Sequence, residues 1–132
     1  MQRISIPINW AELDLYGHVN NVAYYNYMQT ARIEFCAKAG LSVLNEIGKL
    51  SFILAASECH YKIKLHFPGN IEVRSYVTEF GKTSFHLRHE IYNQQGELAA
   101  TGKDVLVIFD YVAGKKTEIP GELKTRLEEL SA

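Results

Sequence analysis

The chain is 132 residues long, which suits one domain with a single hydrophobic core over residues 1–132. Hydrophobic residues make up 47% of the sequence and charged residues 22%, the balance of a globular protein. The formal net charge of −1 at pH 7 gives no electrostatic reason to expect a nucleic-acid partner. No apolar run approaches membrane-spanning length, and the N-terminus lacks the long apolar segment of a secretory signal. We therefore expect neither nucleic acid nor a membrane as partner.

The two cysteines, Cys36 and Cys59, stand far apart and have neither the spacing of a metal site nor that of a redox motif. Buried free thiols are the simpler interpretation, because cysteine often packs as a small apolar side chain. On this basis we expect a reducing, cytoplasmic setting.

A first strand is predicted near the N-terminus, where apolar and polar residues alternate. Its apolar members are Ile4, Ile6, Ile8 and Trp10. Pro7 has no backbone N–H to donate to a neighbouring strand, so it favours an edge or irregular position.

A loop that contains Asp14 and His18 follows this strand and leads into a long helix that begins near Val22. Asparagine is a favoured N-cap because its side-chain oxygen accepts from a free helix amide, so Asn20 or Asn21 marks the helix start. A helix N-terminus presents free N–H groups and a partial positive charge. A carboxylate and a histidine beside such an end form a plausible site for polarising a carbonyl group.

The helix is apolar around most of its circumference, whereas most surface helices carry only an apolar stripe. We expect it to be largely enclosed by other structure, as it would be inside a curved sheet. Gly40 is a natural stop, and residues 42–49 are expected to form a short second helix or an ordered loop. The apolar members of the helix are Val22, Tyr24, Tyr25, Tyr27, Met28, Ala31, Ile33, Phe35 and Cys36.

Four more strands are predicted from residue 52 onward, where the apolar period changes to two. The first is clearest over residues 58–67, and the last ends in an apolar run that favours a central position. Pro120 suits the start of a final short helix over residues 121–130. This order predicts an α+β fold, with a curved antiparallel five-stranded sheet wrapped round a long central helix. The other strands lie at residues 71–78, 85–91 and 98–109, with turns at 68–70, 81–82 and 93–96.

Several kinds of chemistry are absent from the sequence. It has no Gly-x-Ser-x-Gly nucleophile elbow and no Gly-rich phosphate loop. His18 has no His or Cys partner at metal-ligand spacing, so we expect no metal site and no cofactor. His89 falls on the apolar face of its strand and is expected to be a hydrogen-bonded core residue. The other strand histidines, His60, His66 and His86, fall on polar faces and are expected to be solvated.

The stretch Asp-Leu-Tyr-Gly-His-Val-Asn-Asn-Val-Ala-Tyr-Tyr-Asn-Tyr at residues 14–27 resembles the signature of hotdog-fold acyl-CoA thioesterases. It is most similar to the group of 4-hydroxybenzoyl-CoA thioesterases and YbgC-like proteins. Ala31, Arg32, Glu34, the strand order, the Pro68-Gly69 turn and the segment 81–84 also fit, so the resemblance covers nearly the whole chain.

The resemblance implies that Asp14 is the catalytic carboxylate and acts on the thioester as nucleophile or general base. Backbone amides near Asn21 and Val22 would hold the thioester carbonyl oxygen, in keeping with the donors that a helix start presents. His18 either orients the substrate or Asp14, or caps the loop by hydrogen bonding. Many YbgC-like sequences have an acidic residue where this chain has Gln29, which leaves Asp14 as the expected carboxylate of the motif loop.

The expected activity is hydrolysis of an acyl-CoA to a free acid and coenzyme A. The alternatives are an acyl-ACP thioesterase and a non-catalytic acyl-binding hotdog protein. Open sheet edges and an incompletely covered helix predict a homodimer or homotetramer. A second group of residues could hold the coenzyme A phosphates and pantetheine arm, or could form an ordinary solvated hairpin: Lys82, Thr83, Ser84 and Arg88.

Overall fold

A computed structural model describes residues 1–41 and 50–132, so the expectation for residues 42–49 lies outside the described residues. A one-turn 3-10 helix at Trp10–Glu12 lies between the first strand and the first helix. The strands and α-helices are β1 (Gln2–Pro7), α1 (Asn21–Lys38), β2 (Leu50–Tyr61), β3 (Asn70–Phe80), β4 (Ser84–Tyr92), β5 (Leu98–Asp110), β6 (Lys115–Lys116) and α2 (Gly121–Ser131).

The strands form one antiparallel sheet in the order β1-β3-β4-β5-β2, with β6 added beside β5. β1 is an edge strand, as Pro7 predicts, and β2 forms the opposite edge. β5 is paired on both sides, which confirms the interior position expected from its apolar end. The described part of the chain has six strands rather than five, because the two-residue β6 was not recognisable from the apolar pattern.

Asn20 caps α1, as the sequence predicts. Its backbone is extended, and its side-chain Oδ1 accepts from the N–H of Ala23 at 3.0 Å. α1 contacts β1, β3 and β4 and buries one side against the sheet, while α2 contacts β3. The core therefore has two parts. The part under the start of α1 includes Tyr24, Met28, Ile71, Val73 and Ile91. The part shared with α2 includes Phe35, Phe85, Leu106, Leu123 and Leu127.

The described residues cover α1 incompletely, as the prediction of an oligomer requires, and they do not show it as an enclosed central helix. Val22 is 62% exposed, Tyr25 38% and Ile33 37%. The reason is that the sheet reaches only one side of the helix, and no residue of 1–41 or 50–132 covers the exposed apolar side chains on its opposite side. Tyr61, at the end of β2, lies beside this surface, with its hydroxyl 3.4 Å from the carbonyl oxygen of Asn21.

The strand predicted over residues 58–67 ends earlier, at Tyr61. Beyond this point the N–H groups of Lys62 and Ile63 both donate to the carbonyl of Ala99, which ends the regular pairing with β5. The chain then crosses to the loop before α1, where Leu65 accepts from the N–H of Val19 at 3.0 Å. Because this segment leaves the sheet, buried and exposed side chains no longer alternate along it. Its apolar residues Tyr61, Ile63 and Phe67 are all exposed.

His89 is a hydrogen-bonded core histidine, as its position predicts, and it belongs to a buried polar network. Its Nδ1 lies 2.8 Å from Ser75 Oγ, and its Nε2 lies 2.8 Å from Asp104 Oδ2. Arg32 Nη1 donates to the same Asp104 oxygen at 2.9 Å, and Ser57 donates to Oδ1 at 2.7 Å. Burial opposes ionisation of Asp104, but the hydrogen bonds from His89, Ser57 and Arg32 outweigh it and lower the pKa of Asp104.

Candidate active site

The loop before α1 folds back on itself, which brings Asp14 next to His18. The N–H of Asp14 donates to the carbonyl of His18 at 2.7 Å, and Leu13 pairs with Val19 in an antiparallel bridge. Gly17 closes the turn with φ +79°, a backbone conformation that favours glycine. The Tyr-Gly dipeptide of the motif therefore makes the reversal, and Asp14 stands at its base.

Asp14 is exposed and is held by backbone amides. Its Oδ1 accepts from the N–H of Tyr16 at 2.9 Å and from that of His18 at 3.1 Å. The N–H of His18 lowers the pKa of Asp14 most, with further lowering from the Tyr16 N–H and the charges of His18 and Lys64, against a smaller desolvation effect. The second carboxylate oxygen, Oδ2, has no protein partner among the described residues, so an ionised and oriented oxygen is available for chemistry.

The imidazole of His18 does not bond to Asp14. His18 pairs through its backbone with His66, and the two rings meet edge to face with centroids 4.9 Å apart. The Nδ1 atom of His18 is buried and has no hydrogen-bond partner within the described part of the chain. His18 therefore orients Asp14 through its backbone N–H, while its ring packs against the segment that leaves β2.

The first amides of α1 are free donors. Asn20 is anchored by two bonds to the carbonyl of Glu12, one from its N–H and one from its side-chain Nδ2, both 2.8 Å long. No described residue accepts from the N–H of Asn21 or Val22. These two groups lie at the positive end of an 18-residue helix and are suited to bind a carbonyl oxygen that gains negative charge.

An open cleft of about 410 Å³ lies at this end of α1, and its lining includes Asn20, Asn21, Val22 and Asn26. Glu12 also lines the cleft, whereas Asp14 does not. Sequence reasoning missed Glu12, although the spacing of Asn9 and Glu12 is that of a capping box, which the structure shows. The cleft therefore combines two free amides with a carboxylate that the motif did not indicate.

The residues predicted to hold coenzyme A lie elsewhere in the chain. Lys82 and Thr83 connect β3 to β4, Ser84 begins β4, and Arg88 lies further along it. β3 separates this turn from the Asp14 loop by roughly 30 Å, at about 3.3 Å per residue over Asn70–Phe80. The structure thus does not bring these four residues and Asp14 together within one chain.

Both candidate cations of this region are paired with carboxylates. Lys82 Nζ lies 3.2 Å from Glu118, and Arg88 Nε lies 3.4 Å from Glu90. A phosphate group would have to compete with these carboxylates for the two side chains.

No three His, Cys, Asp or Glu side chains of the described residues are grouped as a metal ion would require. Neither α-helix in residues 1–41 and 50–132 combines the length and apolar character needed to cross a membrane.

An antiparallel sheet packed on a long helix is the hotdog-like fold of thioesterases. The family model of the Thioesterase-like superfamily matches residues 8–127, and the chain belongs to this superfamily.

Three similar proteins illustrate the relationship. YsmA of Bacillus subtilis (strain 168) is 29% identical over 124 residues, covering 92% of this chain and 82% of that protein. The chloroplastic acyl-acyl carrier protein thioesterase ATL2 of Arabidopsis thaliana is 28% identical, and the match covers 92% of this chain and 65% of ATL2. A thioesterase from Thermus thermophilus, solved in complex with coenzyme A and Zn, has a TM-score of 0.85 and 27% identity, covering 98% of this chain and 92% of that one.

Proposed function

We propose that the protein is an acyl-CoA thioesterase of the 4-hydroxybenzoyl-CoA thioesterase and YbgC-like group. The observation that carries this proposal is the pair of free amides at Asn21 and Val22, beside a loop that holds an ionised Asp14. Hydrolysis of a thioester requires few groups beyond these amides and this carboxylate, because the thiolate leaves readily once the carbonyl oxygen is stabilised. The coenzyme A complex of the Thermus thermophilus neighbour supports coenzyme A as the carrier.

In the proposed reaction, the thioester carbonyl oxygen binds the N–H groups of Asn21 and Val22. Asp14 then acts as nucleophile or general base, and the carbonyl carbon becomes tetrahedral. The amides stabilise the oxyanion because their direction is set by the helix before the substrate arrives. The His18 N–H keeps Asp14 oriented and favours its ionised form.

The active unit is a homodimer at minimum, either alone or paired into a tetramer. β2 is a 12-residue edge strand with no neighbour on its outer side within the described chain, and it exposes Ile53 and Leu54. Pairing this edge with a second copy would complete the sheet and cover the adjacent apolar side of α1. Light scattering at micromolar concentration tests the proposal, and a stable monomer of 15.0 kDa would refute it.

A second subunit could bring the two predicted groups of residues, the Asp14 site and the candidate coenzyme A residues, into one active site. Within one chain, the length of β3 separates Lys82, Thr83 and Ser84 from Asp14, and Arg88 lies opposite Tyr76, about halfway along that strand. We assign these four residues to coenzyme A bound at the active site of the partner. Their role is in binding, since the phosphates lie remote from the reacting carbonyl.

Replacing Lys82 or Arg88 with Ala should raise KM for acyl-CoA at low salt more than it lowers kcat. The matched control is Lys38→Ala, which removes an exposed lysine that is likewise paired with a glutamate. If the Lys82 and Arg88 variants keep the KM of the control, this turn does not contact coenzyme A.

Asp14→Asn is the central test of the activity. The amide is nearly isosteric and can still accept from the N–H groups of Tyr16 and His18, so the fold should survive. Turnover of acyl-CoA should fall by at least about two orders of magnitude, because the ionised group is lost. A folded and oligomeric Asp14→Asn protein with near wild-type turnover would remove Asp14 from the mechanism.

An acyl-ACP thioesterase is the second candidate, favoured by the 28% identity to ATL2. Both carriers present the same pantetheine thioester, so the reacting groups would be unchanged. Turnover of matched acyl-CoA and acyl-ACP substrates separates the two activities. Release of free thiol from an acyl-CoA panel separates either enzyme from a non-catalytic acyl-binding protein.

A further inference from the structure

Glu12 is a carboxylate whose position in the cleft has no role in the reaction described so far. It lines the 410 Å³ cleft together with Asn21 and Val22, whose amides are the proposed oxyanion donors. Asp14 does not line that cleft, and Glu34 lies on the exposed side of α1 in an ion pair with Lys38. Within the described residues, Glu12 is therefore the acidic side chain of the cleft.

One oxygen of Glu12 is held from two directions. Oε1 accepts from the N–H of Asn9 at 2.7 Å and from the hydroxyl of Tyr27 at 2.9 Å. Tyr27 is only 2% exposed, and burial raises its pKa, with a further increase from Glu12, so the phenol remains a donor. Oε2 has no partner in the described part of the chain, which leaves it available to a molecule in the cleft.

Glu12 is also tied directly to the start of α1. Its backbone carbonyl accepts both the N–H and the side-chain Nδ2 of Asn20, the residue that caps the helix. Asn20 therefore connects the residue with the free carboxylate oxygen, Glu12, to the helix start that presents the free amides. This arrangement resists relative movement, as general-base catalysis requires of a base and the carbonyl group it acts on.

We propose that Glu12 is the general base for the hydrolytic water, with Asp14 as the nucleophile. This assignment rests on the proposed thioesterase activity. Asp14 attacks the thioester carbon, the C–S bond breaks, and the thiolate leaves and takes a proton from solvent, which forms an acyl anhydride on Asp14. Water then attacks the anhydride and transfers a proton to Glu12 Oε2. The free acid leaves, Asp14 is regenerated, and Glu12 returns its proton to solvent.

Glu12→Gln tests this role without removing the structural one. The amide oxygen of glutamine can still accept from Asn9 and Tyr27, and glutamine serves in a capping box as well as glutamate does. The charge and the proton-accepting oxygen are lost. The matched control is Glu34→Gln, which makes the same change at an exposed glutamate of α1 that does not line the cleft.

The measurement is pre-steady-state release of coenzyme A from an acyl-CoA that the wild type hydrolyses. Glu12→Gln should show a burst of about one thiol per subunit, followed by steady turnover reduced about 10²–10⁴-fold. Mass spectrometry should find the acyl group on the peptide that contains Asp14. Glu34→Gln should stay within a few-fold of the wild-type rate and show no burst.

Other outcomes overturn the inference. Wild-type turnover in Glu12→Gln removes Glu12 from the reaction and leaves the thioesterase activity intact. A large loss without a burst or acyl-enzyme refutes the assignment to the water step. An equal loss in Glu34→Gln shows that the effect follows from losing a negative charge on the protein and not from removing a base in the cleft. A wild type that releases no thiol from any acyl-CoA refutes the proposed function itself, and this assignment with it.

Discussion

Arg32→Met is expected to destabilise the protein strongly, because it removes one partner from a buried ion pair. Arg32 Nη1 and Asp104 Oδ2 are 2.9 Å apart, and their side chains are 10% and 0% exposed. Methionine retains an unbranched apolar stem but provides no hydrogen-bond donor. Removing one partner of a buried pair typically costs about 3–5 kcal/mol, since the other charge stays buried.

The remaining contacts place the cost at the lower end of this range. Asp104 keeps its hydrogen bonds to His89 and Ser57, so we expect a loss of about 3 kcal/mol. Unfolding entropy of about 2.1 cal/mol/K per residue over 132 residues gives about 0.28 kcal/mol/K. The melting temperature should therefore fall by about 11 °C.

Scanning calorimetry at one fixed protomer concentration measures the effect, since self-association would otherwise contribute to stability. The matched control is Lys38→Met, which breaks an i,i+4 pair with Glu34 whose side chains are 47% and 46% exposed. The control should lose less than about 0.5 kcal/mol. Equal shifts in the two variants would refute the assignment of stability to the buried network.

The pH dependence gives a second test of the same reasoning. The folded pKa of Asp104 is lowered, so its ionised form stabilises the protein above the unfolded pKa. That contribution is lost as the pH falls through the folded pKa. The difference between wild type and Arg32→Met should therefore shrink in acid. A difference that grows with falling pH would contradict this linkage.

Three further predictions concern single positions. Because the His18 N–H lowers the pKa of Asp14, kcat/KM should fall only below the pH range where an ordinary aspartate protonates, and a pH–rate profile checks this. Gly102→Ala should cost about 1–3 kcal/mol, since the new Cβ would lie 2.5 Å from the sulfur of fully buried Met28; an unchanged denaturation midpoint would contradict it. Burial raises the pKa of Cys36 to about 12, so half-buried Cys59 should react first with a thiol reagent, and peptide mass mapping reads the order.

Capping residues, apolar periods and turn residues in the sequence determined most of the helices and strands. Asn20 marks the start of α1 because a side-chain cap depends on residues only three positions apart. The strands from residue 70 onward follow from the period-two pattern, and Asn93 begins the hairpin turn that Gly96 completes. His89 could be placed in the core because alternation along one strand is also a local property.

The tertiary structure decided what depends on contacts between distant residues. Arg32 and Asp104 lie 72 positions apart, so no local pattern could pair them. β2 ends at Tyr61 because the chain turns to pair with the loop before α1, although the apolar alternation continues to Phe67.

The same reason applies to the candidate site. The motif in the sequence indicated Asp14 and the amides at the start of α1, both set by local backbone geometry. Glu12 was not identified from the sequence, because its place in the cleft depends on its contact with Tyr27, 15 positions later. The sequence placed Lys82 among the candidate coenzyme A residues. Only the length of β3 shows that Lys82 and Asp14 are separated within one chain. Contacts across the fold form when α1 packs on the sheet, and that packing is a property of the whole chain.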